Sequence, residues 1–203
     1  MALTALSRAS FVHRHTHTHT HTHTHTPVQV FDARDGESEY QQTCEHFASL
    51  GVICFISLET EAQFGQRTTG RNARQLAERA FAMWNRVRKE GRTRGSPLYK
   101  AVCNRLAVSG YSMGSGSALI MAGTYTKPED GIVALGYIHG TLVDPSFIEN
   151  VEVPTLIGGG TADTLNSGDT YFLSFNTTVN RNPIMTVMLE GTPHVSGTRH
   201  DIT

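Results

Sequence analysis

The segment Leu106-Ala107-Val108-Ser109-Gly110-Tyr111-Ser112-Met113-Gly114-Ser115-Gly116 constrains the fold of this chain more than any other. The short apolar run from Arg105 to Val108 has the character of a central parallel strand, buried on both faces. It leads into a G-x-S-x-G turn, after which Ser115, Gly116, Ser117, Ala118 and Ala122 are small and Leu119, Ile120 and Met121 supply apolar bulk. Strand, sharp turn and close-lying helix in that order form an elbow that presents a serine hydroxyl at the end of a sheet. Glycines two residues to either side remove side chains that would collide where strand and helix cross, and the serine is expected at positive φ. Ser112 is therefore the candidate nucleophile. Backbone N–H groups at the helix start are placed to stabilise an oxyanion, which attack on an acyl carbon generates.

A serine hydroxyl is weakly nucleophilic at neutral pH, so the proposal requires a histidine base and a carboxylate to orient it. In this arrangement they follow in the order serine, acid, histidine. Val153 to Gly158 reads as a buried strand, and the loop Gly159-Gly160-Thr161-Ala162-Asp163 carries Asp163 beyond its carboxyl end. Sites in open α/β sheets gather there. Ile184 to Leu189 reads as a further strand, and Glu190-Gly191-Thr192-Pro193-His194 delivers His194 to the same edge. Asp144, after the strand Ile132 to Ile138, is a rival acid; chain order and loop position favour Asp163. His139 and His200 are rival histidines, but His194 stands in the loop that the mechanism requires.

With these residues in place, several blocks resemble the cutinase-type polyester hydrolases of the dienelactone hydrolase-like branch of the α/β-hydrolases. They are Phe47 to Ile53, Gly70 to Leu76, Ser96 to Tyr99, Gly110 to Gly114, Val153 to Ile157 with Asp163, and Glu190 to His194. The resemblance spans about Val28 to about His200. It implies an esterase acting on carboxylic esters, polyesters included, without metal or organic cofactor. By position it makes Ser112 the nucleophile, Asp163 the acid, His194 the base and Met113 the source of one oxyanion-hole N–H. The second donor falls at Ala33 or Arg34, within Asp32-Ala33-Arg34-Asp35-Gly36, where the family carries a glycine-containing loop. The tryptophan that the family places beside the acyl group falls near His139 or Gly140, which points to aliphatic or small acyl esters. Tyr111 stands where histidine or tryptophan is usual, as a substrate contact or a packing aromatic.

The remaining composition excludes more than it adds. A chain of 203 residues suits one domain, and a formal charge of −1 gives no electrostatic reason to expect nucleic acid or an anionic membrane as partner. No run is long and apolar enough to read as a membrane span. Cys44, Cys54 and Cys103 lie in segments read as helix, strand and loop, with no C-x-x-C pair, and their odd number argues against a complete disulfide framework. Met1 to Val12 lacks the sustained apolar run of a secretory signal, although relatives are usually exported. If the chain is exported, Asn176-Thr177-Thr178 is a glycosylation sequon. From His15 to Thr26 histidine and threonine alternate without interruption, so residues 1–26 read as a disordered low-complexity segment ahead of a domain over 27–203. Extended, the tract would align its histidines for zinc, nickel or copper. A translated CA-dinucleotide repeat is the simpler account.

Beyond Pro27 the pattern alternates: strand Val28 to Phe31, helix Ser38 to Leu50, strand Val52 to Leu58, helix Asn72 to Glu90, the elbow, strand Gly131 to Ile138, strand Val153 to Gly158, a short helix and the last strand. Such alternation predicts an α/β fold, a mostly parallel sheet with helices on both faces. Ser38 and Gln41 have capping-box spacing, while Tyr40, Cys44 and Phe47 share a helical face. Leu76, Ala80, Met83 and Val87 mark another face, with Gly91 as its stop. Arg86, Arg88, Lys89, Arg92 and Arg94 read as a solvated helix end. The antiparallel strand pair that opens an α/β-hydrolase and the helix that closes it are not recognisable, so the fold is expected to be incomplete at both ends with exposed edge strands. Two functions follow: a serine esterase, or a degenerate hydrolase that binds without turnover, the latter including a gene-model fragment.

Overall fold

The computed structural model describes residues 26–32, 44–59, 69–141, 144, 146–166, 175 and 182–194. Six strands make one sheet: β1 (Thr26–Asp32), β2 (Phe55–Glu59), β3 (Leu106–Tyr111), β4 (Ile132–Ile138), β5 (Thr155–Gly160) and β6 (Ile184–Leu189). Their order is β2-β1-β3-β4-β5-β6, with every neighbouring pair parallel. This is the parallel sheet of an α/β-hydrolase fold. From β1 the chain first steps outward to β2 and then returns to β3 on the other side. The direction of winding thus reverses between β1 and β3, and the crevice beyond their carboxyl ends is where such sheets bind ligands.

The described helices include α1 over 44–49, α2 (Thr69–Arg92), α3 (Met113–Thr124) and α4 (Ser146–Glu149). Helix α3 lies on β1, β3 and β4 and is flanked by α2 and α4, so residues Gly114 to Gly123 are buried all round. This burial accounts for its uniformly small or apolar sequence. Helix α2 is amphipathic instead: Ala73, Leu76, Ala77, Ala80, Trp84 and Val87 are buried while the intervening polar residues face water. Trp84 is fully buried and donates its indole N–H to the Asp130 carbonyl at 2.8 Å, which ties α2 to the turn before β4. Arg88 lies over the Trp84 ring and donates to Asn104 Oδ1 at 2.9 Å, so one member of the basic cluster is bound rather than merely solvated.

The elements differ from expectation mainly at their ends. Strand β1 begins at Thr26 because Thr26 pairs with Leu106, and β2 begins at Phe55 where pairing with Val28 begins. Helix α2 runs through Gly91 to Arg92. Gly91 is not its stop: a Cβ there would stand 2.7 Å from Val102 Cβ, so the glycine lets the following loop pack closely. Cys44 and Cys54, which showed no pairing pattern in the sequence, form a disulfide joining α1 to the approach of β2, and Cys103 takes no part in that bridge. The Ser38–Gln41 capping box, Tyr40 and the sequon at Asn176 lie outside the described residues. Among the described strands β6 lies at one end of the sheet, and its Met185 is 65 % and its Leu189 52 % accessible.

Candidate active site

The elbow depends on close backbone approach. A Cβ on Gly110 would sit 2.1 Å from the Gly114 carbonyl carbon, so β3 and α3 can cross at this distance only with glycine there. Ser112 is forced to φ 53° and ψ −120°, a conformation that non-glycine residues adopt only where their surroundings hold them. The restraints are visible. Ser112 N–H donates to the Ile138 carbonyl at 3.1 Å, and the Ser112 carbonyl accepts from Ser115 N at 3.0 Å and Thr141 N at 3.1 Å. Ser115 Oγ accepts from Ile138 N at 2.8 Å and lies within hydrogen-bond reach of the Gly110 and Ile138 carbonyls. Ser115 was noted in the sequence only for its size; it fastens the elbow to the end of β4. Ser112 occupies the N-cap of α3 without a side-chain cap bond, which leaves its hydroxyl for other partners.

One partner is His194. Its Nε2 lies 2.9 Å from Ser112 Oγ and its Nδ1 2.8 Å from Asp163 Oδ2. The loops after β5 and β6 that supply these residues are joined by several bonds. Thr161 N donates to the Leu189 carbonyl at 3.0 Å, Ala162 N to the Thr192 carbonyl at 3.3 Å, and Gly191 N to Thr161 Oγ1 at 2.8 Å. Asp163 is buried, and desolvation by itself would raise its pKa. Hydrogen bonds from the Asn166 amide, His194 and His139, together with the field of His194, outweigh burial and hold the carboxyl below its ordinary range. An ionised carboxylate only accepts, so both rings present Nδ1–H to it. Nε2 of His194 is then the acceptor for the Ser112 hydroxyl proton.

The other candidates take different places. Asp144 is exposed and accepts from Ser146 N at 3.0 Å at the start of α4; that backbone bond, a side-chain bond from Ser146 and the charge of Arg74 lower its pKa. It is Asp163 that meets His194. His139 and Gly140, expected beside the acyl group, are both buried. The His139 ring turns onto Asp163, with Nδ1 2.7 Å from Oδ2, and a Cβ on Gly140 would collide with the Tyr137 ring. Tyr111, at the end of β3, packs against both histidines with ring centroids 5.4 Å from His139 and 5.2 Å from His194. Met113 is the first residue of α3, directly after Ser112. Ala33, Arg34 and His200 lie outside the described residues.

One residue, Asn166, and one contact, that of His139 with Asp163, escaped the sequence reading. Asn166 donates its backbone N–H to Asp163 Oδ1 at 2.8 Å and its side-chain Nδ2 to the His139 carbonyl at 2.8 Å. The Asp-x-x-Asn spacing, a frequent turn pattern, was the available signal. His139 as a partner of Asp163 could have been suspected from adjacent strands, since β4 and β5 end side by side. Among the described residues, His139, Asp163 and His194 also form the group whose ligand atoms, all within 4.8 Å of one another, are close enough to share a metal ion. Both Nδ1 atoms are instead spent on hydrogen bonds to the carboxylate.

The sequence model of the PET hydrolase-like family matches residues 15–202. The chain belongs to the PET hydrolase-like family. Comparison with curated proteins gives no significant match. Membership in the PET hydrolase-like family supports ester hydrolysis as the chemistry and an ester as the substrate. No helix among the described residues is long and apolar enough to cross a membrane.

Proposed function

We propose that this PET hydrolase-like chain is a serine esterase in which Ser112, His194 and Asp163 form the catalytic triad. The observation that carries the reading is the unbroken chain of hydrogen bonds from Ser112 Oγ through His194 to Asp163 Oδ2, at 2.9 and 2.8 Å. His194 Nε2 takes the hydroxyl proton as Ser112 Oγ attacks the ester carbonyl, and Asp163 stabilises the imidazolium that results. The tetrahedral intermediate places its negative oxygen against the Met113 N–H, with the loop at Ala33 and Arg34 assigned the second donor. As the C–O bond to the alcohol breaks, His194 returns the proton to the departing oxygen. Water, deprotonated by the same imidazole, then cleaves the acyl-enzyme and releases the acid.

No metal or organic cofactor enters these steps. The burial of His139 and Gly140 leaves no aromatic platform from that segment, which supports esters of small or aliphatic acids. The Cys44–Cys54 disulfide suits an oxidising compartment and supports export. A fluorophosphonate probe tests the central assignment: the wild-type chain is expected to label covalently, and Ser112→Ala to label not at all. On p-nitrophenyl butyrate the same substitution is expected to lower kcat/KM by at least about 10⁴-fold. A folded wild-type chain that neither labels nor turns over would identify a hydrolase scaffold that binds without catalysis.

A further inference from the structure

Asp163 holds more donors than the orientation of one imidazole requires. Oδ1 accepts the amides of Leu165 at 3.0 Å and Asn166 at 2.8 Å, while Oδ2 accepts ring N–H groups from both His194 and His139. Each carboxylate oxygen has two acceptor sites, so these four bonds fill them. His139 is fixed in place for this contact. Its side chain is 4 % exposed, its backbone stands at φ 47°, its N–H donates to the Gly158 carbonyl at 2.8 Å and its own carbonyl accepts from Asn166. A non-glycine residue persists in that left-handed region only where its neighbours over-determine it. The titratable groups packed against the ring are Asp163 from the loop after β5, His194 from the loop after β6, and Tyr111 from the end of β3.

We propose that His139 is a positioning residue for the triad, its Nδ1–H holding the Asp163 carboxylate in the orientation that serves His194 and sharing the oxygen on which His194 depends. The inference rests on the serine-esterase reading. With two ring donors on Oδ2, part of that oxygen's negative charge is already compensated before His194 takes the proton from Ser112. Without the His139 donor, Oδ2 concentrates its attraction on His194, which then retains a proton to higher pH and is unavailable as base. The carboxylate also loses one of the bonds that fix its plane.

The test compares kcat/KM against pH for wild type, His139→Leu and His139→Asn on p-nitrophenyl butyrate. Asparagine carries an N–H donor at the position of the imidazole Nδ1 and tolerates positive φ. His139→Leu is expected to lower the plateau about tenfold and to move the acid limb upward by about one pH unit, the scale of one charge-assisted hydrogen bond. His139→Asn is expected to restore both. Should His139→Leu fail to fold, His139→Gln replaces it with the same expectation, because its amide is carried one methylene too far. A folded Leu or Gln variant with plateau and acid limb unchanged overturns the inference, as does an Asn variant no better than the others. An active, probe-labelled wild type with indifferent His139 variants removes this inference alone; a wild type that neither labels nor turns over removes the triad reading and this inference with it.

Discussion

At Asp163, burial and hydrogen bonding act in opposite directions on one carboxyl group, and bonding prevails. The consequence for stability has a definite sign. A carboxyl held below its unfolded value of about 4 favours the folded state wherever it is ionised in both states, and that contribution is lost as pH falls through the folded-state value. Asp163→Asn is therefore expected to flatten the loss of stability between neutral and acid pH. Urea unfolding at several pH values measures it, and an acid limb as steep as that of wild type would contradict it. Gly110 makes a steric demand instead: Gly110→Ala places a Cβ 2.1 Å from the Gly114 backbone and is expected to cost at least about 1–3 kcal/mol, measured as a fall in the urea midpoint. The convergence of Ser112, Asp163 and His194 was legible in the sequence because each follows an apolar run that ends at the same edge of the sheet. His139 was named as a rival histidine and as a neighbour of the acyl group, but its contact with Asp163 was not legible, because that partner follows the adjacent strand, which only the sheet brings beside it.

Element identity was more legible than element extent. β4 and β6 match their apolar runs, Ile132–Ile138 and Ile184–Leu189, since both runs are bounded by turn residues. β1 extends back to Thr26, the last residue of the histidine–threonine tract, because backbone pairing with β3 decides its extent and side-chain character does not. In α2 a glycine that would end a helix on local grounds stays helical because Val102 packs against it. The cysteine pair is illegible for a related reason: the two Cα atoms come within 5.2 Å only after α1 turns at Gly51 toward β2. Closing a loop with a sequence separation of 10 stabilises by about 3 kcal/mol in the chain-entropy account. Cys44→Ala with Cys54→Ala is expected to lose about that much in urea unfolding, while wild type under reducing conditions should approach the double variant.

For the molecule as a whole, alternation predicted a parallel sheet, and the observed order adds what alternation could not: the reversal of winding between β1 and β3 sets Ser112 beside the crevice. Asp163 and His194 reach Ser112 from the loops after β5 and β6, on the same side of that reversal. His194 hangs from β6, whose outer edge is unpaired among the described strands and whose Met185, Val187, Met188 and Leu189 are exposed. Strands with so little burial open at lower free energy than the centre of a sheet. Ester turnover is accordingly expected to fall, on heating, several degrees below the midpoint of far-UV circular dichroism loss; coincident curves would refute this.

Since the proposed base, His194, is 82 residues from the proposed nucleophile and follows the outermost of the described strands, fraying at that rim is expected to silence turnover while the interior stays intact. The half-life of activity, rather than the melting temperature, is the quantity by which improved versions of this chain should be judged, and substitutions that anchor the β6 margin should extend it most.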